Sequence, residues 1–158
     1  MPIETTDAPT MAREIAISRS FDAPRELVFK TWTQAEHLAA WWGPQMFKTR
    51  ITALDVRVGG AFDLVMAGPN GEQYPMRSVY EEVVAPERLA FSFLAEDGHG
   101  VVALEGQILV VLSEKDGGTQ LDLTASATGL IPQAAFMLAG MQEGWSQSLD
   151  RMGAYLRP

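Results

Sequence analysis

The side chains able to do chemistry are few and scattered. The chain has two histidines, His37 and His99, and no cysteine. Thiol catalysis, disulfides and cysteine-based metal sites are therefore excluded. His37 adjoins Glu36 on a short predicted helix, where neighbouring positions do not face each other. His99 lies in a glycine-rich turn, and neither histidine has a second ligand at metal-binding spacing. Ser78, Ser92 and Ser113 stand on predicted strands without a base in view, and no Gly-x-Ser-x-Gly occurs, so no nucleophilic triad is read. Gly59-Gly60 leads into a strand, unlike a phosphate-binding loop, which opens a helix. Arg19, Asp63, Arg77, Ser78, Tyr80 and Glu105 are candidates for buried polar chemistry. Alternation turns some of them outward, where a carboxylate–arginine pair is a surface cross-strand contact. No catalytic residue, no metal and no cofactor is expected.

What the chain does carry is soft and apolar. Met66, Met76, Met137, Met141 and Met152 fall on predicted strands or on the C-terminal helix. Methionine fills irregular gaps and adapts to varied ligands. Met152, near the chain end, reads as ordinary core, whereas Met137 and Met141 precede Trp145 and lean toward a pocket. Trp41-Trp42-Gly43-Pro44 is the most distinctive short motif, either a pocket lip or a packing anchor. Successive helical residues point about 100° apart, so the two indoles cannot do the same job. The expected ligand-binding set is Trp41, Trp42, Phe47, Phe62, Leu64, Met66, Met76, Tyr80, Phe91, Phe93, Met137, Met141 and Trp145.

These side chains need elements to hold them. Ala134, Leu138, Met141, Trp145, Leu149, Met152 and Leu156 recur every three or four residues, which predicts one long helix over 132–156. Gln142, Glu143, Ser146, Gln147, Asp150 and Arg151 form its wet side. Gly140 and Gly144 fall inside it, each worth roughly 1 kcal/mol less than alanine there. A kink, a close approach to a sheet, or a true helix start at Gly140 all stay open. Upstream, 14–21 alternates as a first strand. Asp22 is placed to cap the helix at 24–33, which turns Leu27, Val28 and Trp32 inward. A second short helix spans 34–42 and stops at Gly43-Pro44. From Phe47 the period is two. Strands follow at 49–58, 61–66, 73–84, 89–94, 101–112 and 120–127, separated by Gly59-Gly60, Gly68-Pro69-Asn70-Gly71, Ala85-Pro86-Glu87, Asp97-Gly98-His99-Gly100 and Asp116-Gly117-Gly118. The result is an α+β fold: a curved antiparallel sheet of six to seven strands around a C-terminal helix, with two short helices after the first strand.

Bulk properties agree. The 158 residues suit a single domain over 13–158, with 1–12 a disordered tail. Hydrophobic residues make up 47% and charged residues 20%, ordinary for a globular protein. The formal charge of −8 argues against nucleic acid and anionic membranes as partners. No stretch has the length of apolar sequence that a membrane span needs, and residues 1–12 are no signal peptide, so a cytoplasmic address is expected.

Several motifs together carry a resemblance. They are the run from Ile17-Ser18-Arg19-Ser20-Phe21-Asp22-Ala23-Pro24 to Phe29, then Trp32-Thr33, Glu36-His37-Leu38 and Trp41-Trp42-Gly43-Pro44. Gly59-Gly60-Ala61-Phe62, Pro86-Glu87-Arg88-Leu89, Gly118-Thr119-Gln120-Leu121, Gly144-Trp145 and Leu149-Asp150-Arg151-Met152 extend the match from about Arg13 to Leu156. In these the sequence resembles bacterial homologues of the activator of heat-shock-protein-90 ATPase, of the START/birch-pollen-allergen-like (SRPBCC) superfamily. The resemblance implies a helix-grip fold with a cavity between helix and sheet, suited to lipid-like or aromatic molecules. Superfamily membership covers carriers, cyclases, hydrolases and chaperone partners, so it does not select among functions. The leading expectation is a non-enzymatic module binding a small apolar or aromatic molecule. The alternatives are a partner of the Hsp90-type ATPase and a cavity enzyme of the cyclase or dehydratase kind. Eukaryotic activators carry an additional N-terminal domain, whereas about a dozen residues precede the first strand here, which ranks the chaperone role lower. A homodimer is plausible because 101–112 has apolar residues at both parities, including Leu109 and Val111.

Overall fold

The computed structural model describes residues 11–157. The tail expected over residues 1–12 falls for the most part outside the described residues. Ala12 itself already pairs with Thr128.

Seven strands form one sheet: β1 (Ala12–Phe21), β2 (Lys48–Leu54), β3 (Ala61–Ala67), β4 (Gln73–Val84), β5 (Arg88–Glu96), β6 (Val102–Lys115) and β7 (Gly118–Gly129). Their spatial order is β1-β7-β6-β5-β4-β3-β2, and every neighbouring pair is antiparallel. From β2 to β7 the chain simply meanders, as the turn signals require. Asp116 and Gly117 both take positive φ, 51° and 81°, the geometry of a tight two-residue hairpin. The one long connection joins the two edge strands. It carries α1 (Arg25–Thr33) and α2 (Ala35–Trp41) across one end of the sheet. Register shifts at Ile51/Ala53, Tyr80/Glu82 and Ala95/Glu96 supply the irregularities that bend a sheet.

The concave face holds the core. Ile15, Ile17 and Phe21 of β1 face inward with Leu121, Leu123 and Ala125 of β7, as alternation requires. Three local expectations are corrected. Asp22 does not cap α1, whose N-cap is Pro24 with no side-chain hydrogen bond; the proline's fixed φ starts the helix without that help. Leu27 is 41% exposed, while Val28, Phe29 and Trp32 are buried. The strand expected over 49–58 ends at Leu54, before the turn that precedes Ala61.

The C-terminal helix is two helices. α3 (Ala134–Ala139) ends at Gly140, and α4 (Met141–Leu156) begins there, with Gly140 at φ −88° and ψ 0°. Of the alternatives open at Gly140, the structure takes the true helix start: α4 is the long C-terminal helix and α3 is a separate piece before it. The apolar stripe still holds, with Leu149 and Met152 wholly covered and Met141 and Trp145 half-buried. Among the described residues no helix is long and apolar enough to cross a membrane.

Candidate functional site

Between the sheet and the α3–α4 junction lies a cavity of about 400 Å³. That is within the range of small-molecule sites, roughly 300–1,000 Å³. β3, β4, β5 and β6 supply its floor through Met66, Met76, Phe93, Ala95, Leu104 and Ile108. These positions follow from strand parity, because Phe93 and Ala95 share a face and pair with Gly106 and Leu104 of β6. Met137, Met141 and Trp145 form the roof, at i and i+4 steps down the helical pieces. Trp42 and Phe47, with Gly43 and Pro44, form the side wall. Phe136 lines the mouth and is 83% exposed.

The two tryptophans of the corner divide their work. Trp42 faces the cavity, edge-on to Trp145 with ring centroids 5.0 Å apart. Trp41 is wholly buried behind it and donates its indole N–H to the Thr31 carbonyl at 2.9 Å. The corner turns on Gly43, whose φ of +105° is strained for any residue with a Cβ. It is sewn to α4 by polar side chains. The Gly43 N–H donates to Ser148 Oγ at 3.1 Å. Arg151 donates to the carbonyls of Gly43 at 2.8 Å and Pro44 at 3.1 Å. Gln147 accepts from the Gln45 N–H at 3.0 Å. Arg151, Gln147 and Ser146 were expected on the wet side, but each is half-buried. Burial lowers the pKa of Arg151 from its ordinary value, yet a guanidinium stays charged in a protein.

Of the thirteen residues expected to bind a ligand, Trp42, Phe47, Met66, Met76, Phe93, Met137, Met141 and Trp145 line this cavity. Trp41, Phe62, Leu64, Tyr80 and Phe91 do not. They are buried deeper, where Phe62 stacks on Tyr80 at 5.9 Å and Phe91 meets both rings edge-on. The Tyr80 hydroxyl has no hydrogen-bond partner among the described residues, and burial pushes its pKa far above the tyrosine norm. Tyr74, Glu96 and Ser148 also line the cavity. Tyr74 and Glu96 were passed over because they sit near strand ends, where parity is unreliable; Ser148 was assigned to neither side of the helix.

The remaining polar candidates are elsewhere. Arg19 reaches Ser146 of α4 at 2.8 Å and Asp150 at 3.5 Å, tying β1 to that helix. Asp63 and Arg77 are cross-strand partners, but Asp63 accepts from the Ser78 N–H at 3.3 Å instead of pairing with the arginine. Glu105 is exposed. His37 contacts the Tyr155 hydroxyl, and His99 is exposed in its turn. Among the described residues no group of three or more His, Cys, Asp or Glu is placed to hold a metal.

A bent antiparallel sheet gripping a C-terminal helix, with an open apolar space between them, defines the helix-grip class. Solved structures share it. A protein of Chromobacterium violaceum is 24% identical, with a TM-score of 0.77 over 92% of this chain and 97% of its own. A Rhizobium loti protein is 20% identical, at 0.78 over 94% and 100%. An AHSA1 protein of Silicibacter pomeroyi is 23% identical, at 0.72 over 91% and 97%. No curated protein matches. The chain belongs to the family described as activator of Hsp90 ATPase homolog 1-like protein, which matches residues 22–157.

Proposed function

We propose that the protein is a non-enzymatic module that binds a small apolar or aromatic molecule between its sheet and its C-terminal helices. The observation carrying this reading is the cavity of about 400 Å³, walled by Trp, Phe and Met side chains and open at α3. Burying an apolar guest there releases water from both surfaces, worth roughly 25 cal/mol per Å² before the costs of association. Methionine walls let guests of different shape fit.

The test uses the two cavity tryptophans as reporters. A panel of fatty alcohols, polyketides and aromatics is titrated while tryptophan emission and thermal stability are followed. Saturable binding is expected for at least one class. Gly144→Leu supplies the control. A Cβ at Gly144 would meet nothing closer than Pro44 at 3.8 Å, and the residue lines the cavity. A leucine there fills the space while improving helix propensity, so binding should vanish without loss of fold. No saturable response across the panel overturns the reading.

The family description keeps a second reading alive, a partner of an Hsp90-type ATPase. A chaperone ATPase rate unchanged by saturating protein removes it. A cavity enzyme of the cyclase type would instead turn over a bound guest, which product analysis of the same titrations detects. For self-association, the outer face of β6 around Leu109 and Val111 is the surface a second copy would cover, and light scattering decides the mass. A cytoplasmic location goes with this reading, and cell fractionation tests it.

A further inference from the structure

The cavity wall is lopsided in charge. Among the described residues no lysine, arginine or histidine lines it, and the one formally charged side chain that does is Glu96. Glu96 closes β5. Consecutive residues of a regular strand point to opposite faces, yet Ala95 and Glu96 both line the cavity. The register shift between them, where Ala95 pairs with Leu104 but Glu96 with Val102, accounts for it. The shift brings a residue that carries a carboxylate into the lining of an otherwise aromatic and methionine-rich space. Glu96 is half-buried and has no ion-pair partner among the described residues.

The surroundings add to this. Phe47 and Tyr74, both in the wall, hold ring centroids 6.0 Å apart. Ring faces attract cations. Asp97 follows Glu96 directly, and the amides of Val101 and His99 hold its carboxyl below the usual carboxylate range. The whole molecule carries −8. A neutral guest that filled the mouth would strip water from Glu96 without replacing it, and an anionic guest would add repulsion. A guest with a positive head meets neither cost.

We propose that the cavity selects a cationic amphiphile, an apolar or aromatic body whose protonated amine or quaternary ammonium rests against Glu96 beside Phe47 and Tyr74. This rests on the cavity being a binding site, and the experiment separates the two ideas. Octylamine, octanol and octanoate are titrated calorimetrically into the wild type, Glu96→Gln and Glu96→Lys, with circular dichroism confirming each fold. In the wild type the amine should bind about tenfold tighter than the carboxylate, with the alcohol between them. Added salt should narrow the gap. Glu96→Gln should erase the amine preference while leaving octanol affinity unchanged, and Glu96→Lys should reverse it. Equal affinities in the wild type, a carboxylate preference, or an amine preference that survives Glu96→Gln overturns the proposal while the cavity reading stands. If none of the three binds saturably, and the wider panel also fails, both fall together.

Discussion

The interior has a sealed end and an open end, and they are built from the same kinds of side chain. At the sealed end Val28, Phe29, Trp32, Leu38 and Trp41 from α1 and α2 meet Leu149 and Met152 of α4, and none is more than 9% exposed. At the open end Trp42, Phe93, Met76, Met137, Met141 and Trp145 surround empty space. Composition does not separate them. What differs is cover. Two helices are laid across the first end, whereas only the six-residue α3 and the first two turns of α4 reach over the second. A cavity here follows from the shortage of overlying chain, not from any special residue, which is why a list of apolar residues could not have drawn its border.

The contrast can be broken most severely at the sealed end. Trp41→Ala removes a wholly buried indole and orphans the Thr31 carbonyl; a loss of about 3–5 kcal/mol is expected in chemical denaturation. Arg151→Ala acts on the seam between the ends. It strips the donor from the Gly43 and Pro44 carbonyls, with an expected cost of about 1–3 kcal/mol and weaker ligand binding as the Trp42 wall loosens. At the open end Gly140→Ala should stabilise by about 0.4–1 kcal/mol, because φ −88° suits alanine and the nearest atom to the new Cβ is Phe136 O at 3.7 Å. A drop in stability would mean that the break between α3 and α4 needs glycine.

Tyr80→Phe is expected to have the smallest effect at neutral pH, within about 1 kcal/mol and stabilising if anything, because the deleted hydroxyl has no partner among the described residues. Its signature lies in alkali. Burial raises the folded-state pKa of Tyr80. The unfolded tyrosine loses its proton near pH 10, so above that point the native state binds more protons than the unfolded state. Stability should then fall as pH rises, by up to about 1.4 kcal/mol per pH unit from this group. The wild type should show a steeper alkaline decline than Tyr80→Phe in unfolding titrations, and parallel curves would refute the assignment.

Most of the fold was legible because its signals are local. Alternation at Leu89, Phe91 and Phe93, and the Asp-Gly turn at 116–117, each report their own neighbourhood. The break at Gly140 was one of three readings left open, because Gly140 and Gly144 look alike in a helical pattern and only packing distinguishes them. The site was legible in part for a related reason. Parity put Met66, Met76 and Phe93 on the right face, but it equally selected Phe62, Leu64 and Phe91, since it says which side a residue faces and not how far along the strand the space begins. Tyr80 went the same way. Glu96 was missed because the register shift that turns it inward has no local mark, and Arg151 because a charged residue on a helix is ordinarily solvated.

The order of strands also sets a schedule. β1 is made early, yet its neighbour is β7, and Ser18 pairs with Asp122, 104 residues further on. Until β7 has been made, β1 has no edge to join, and the connection through α1 and α2 has no completed surface to cross. Such distant pairing slows folding. Meanwhile a strand carrying Ile15, Ile17 and Phe21 waits uncovered, which makes this segment the one most exposed to aggregation.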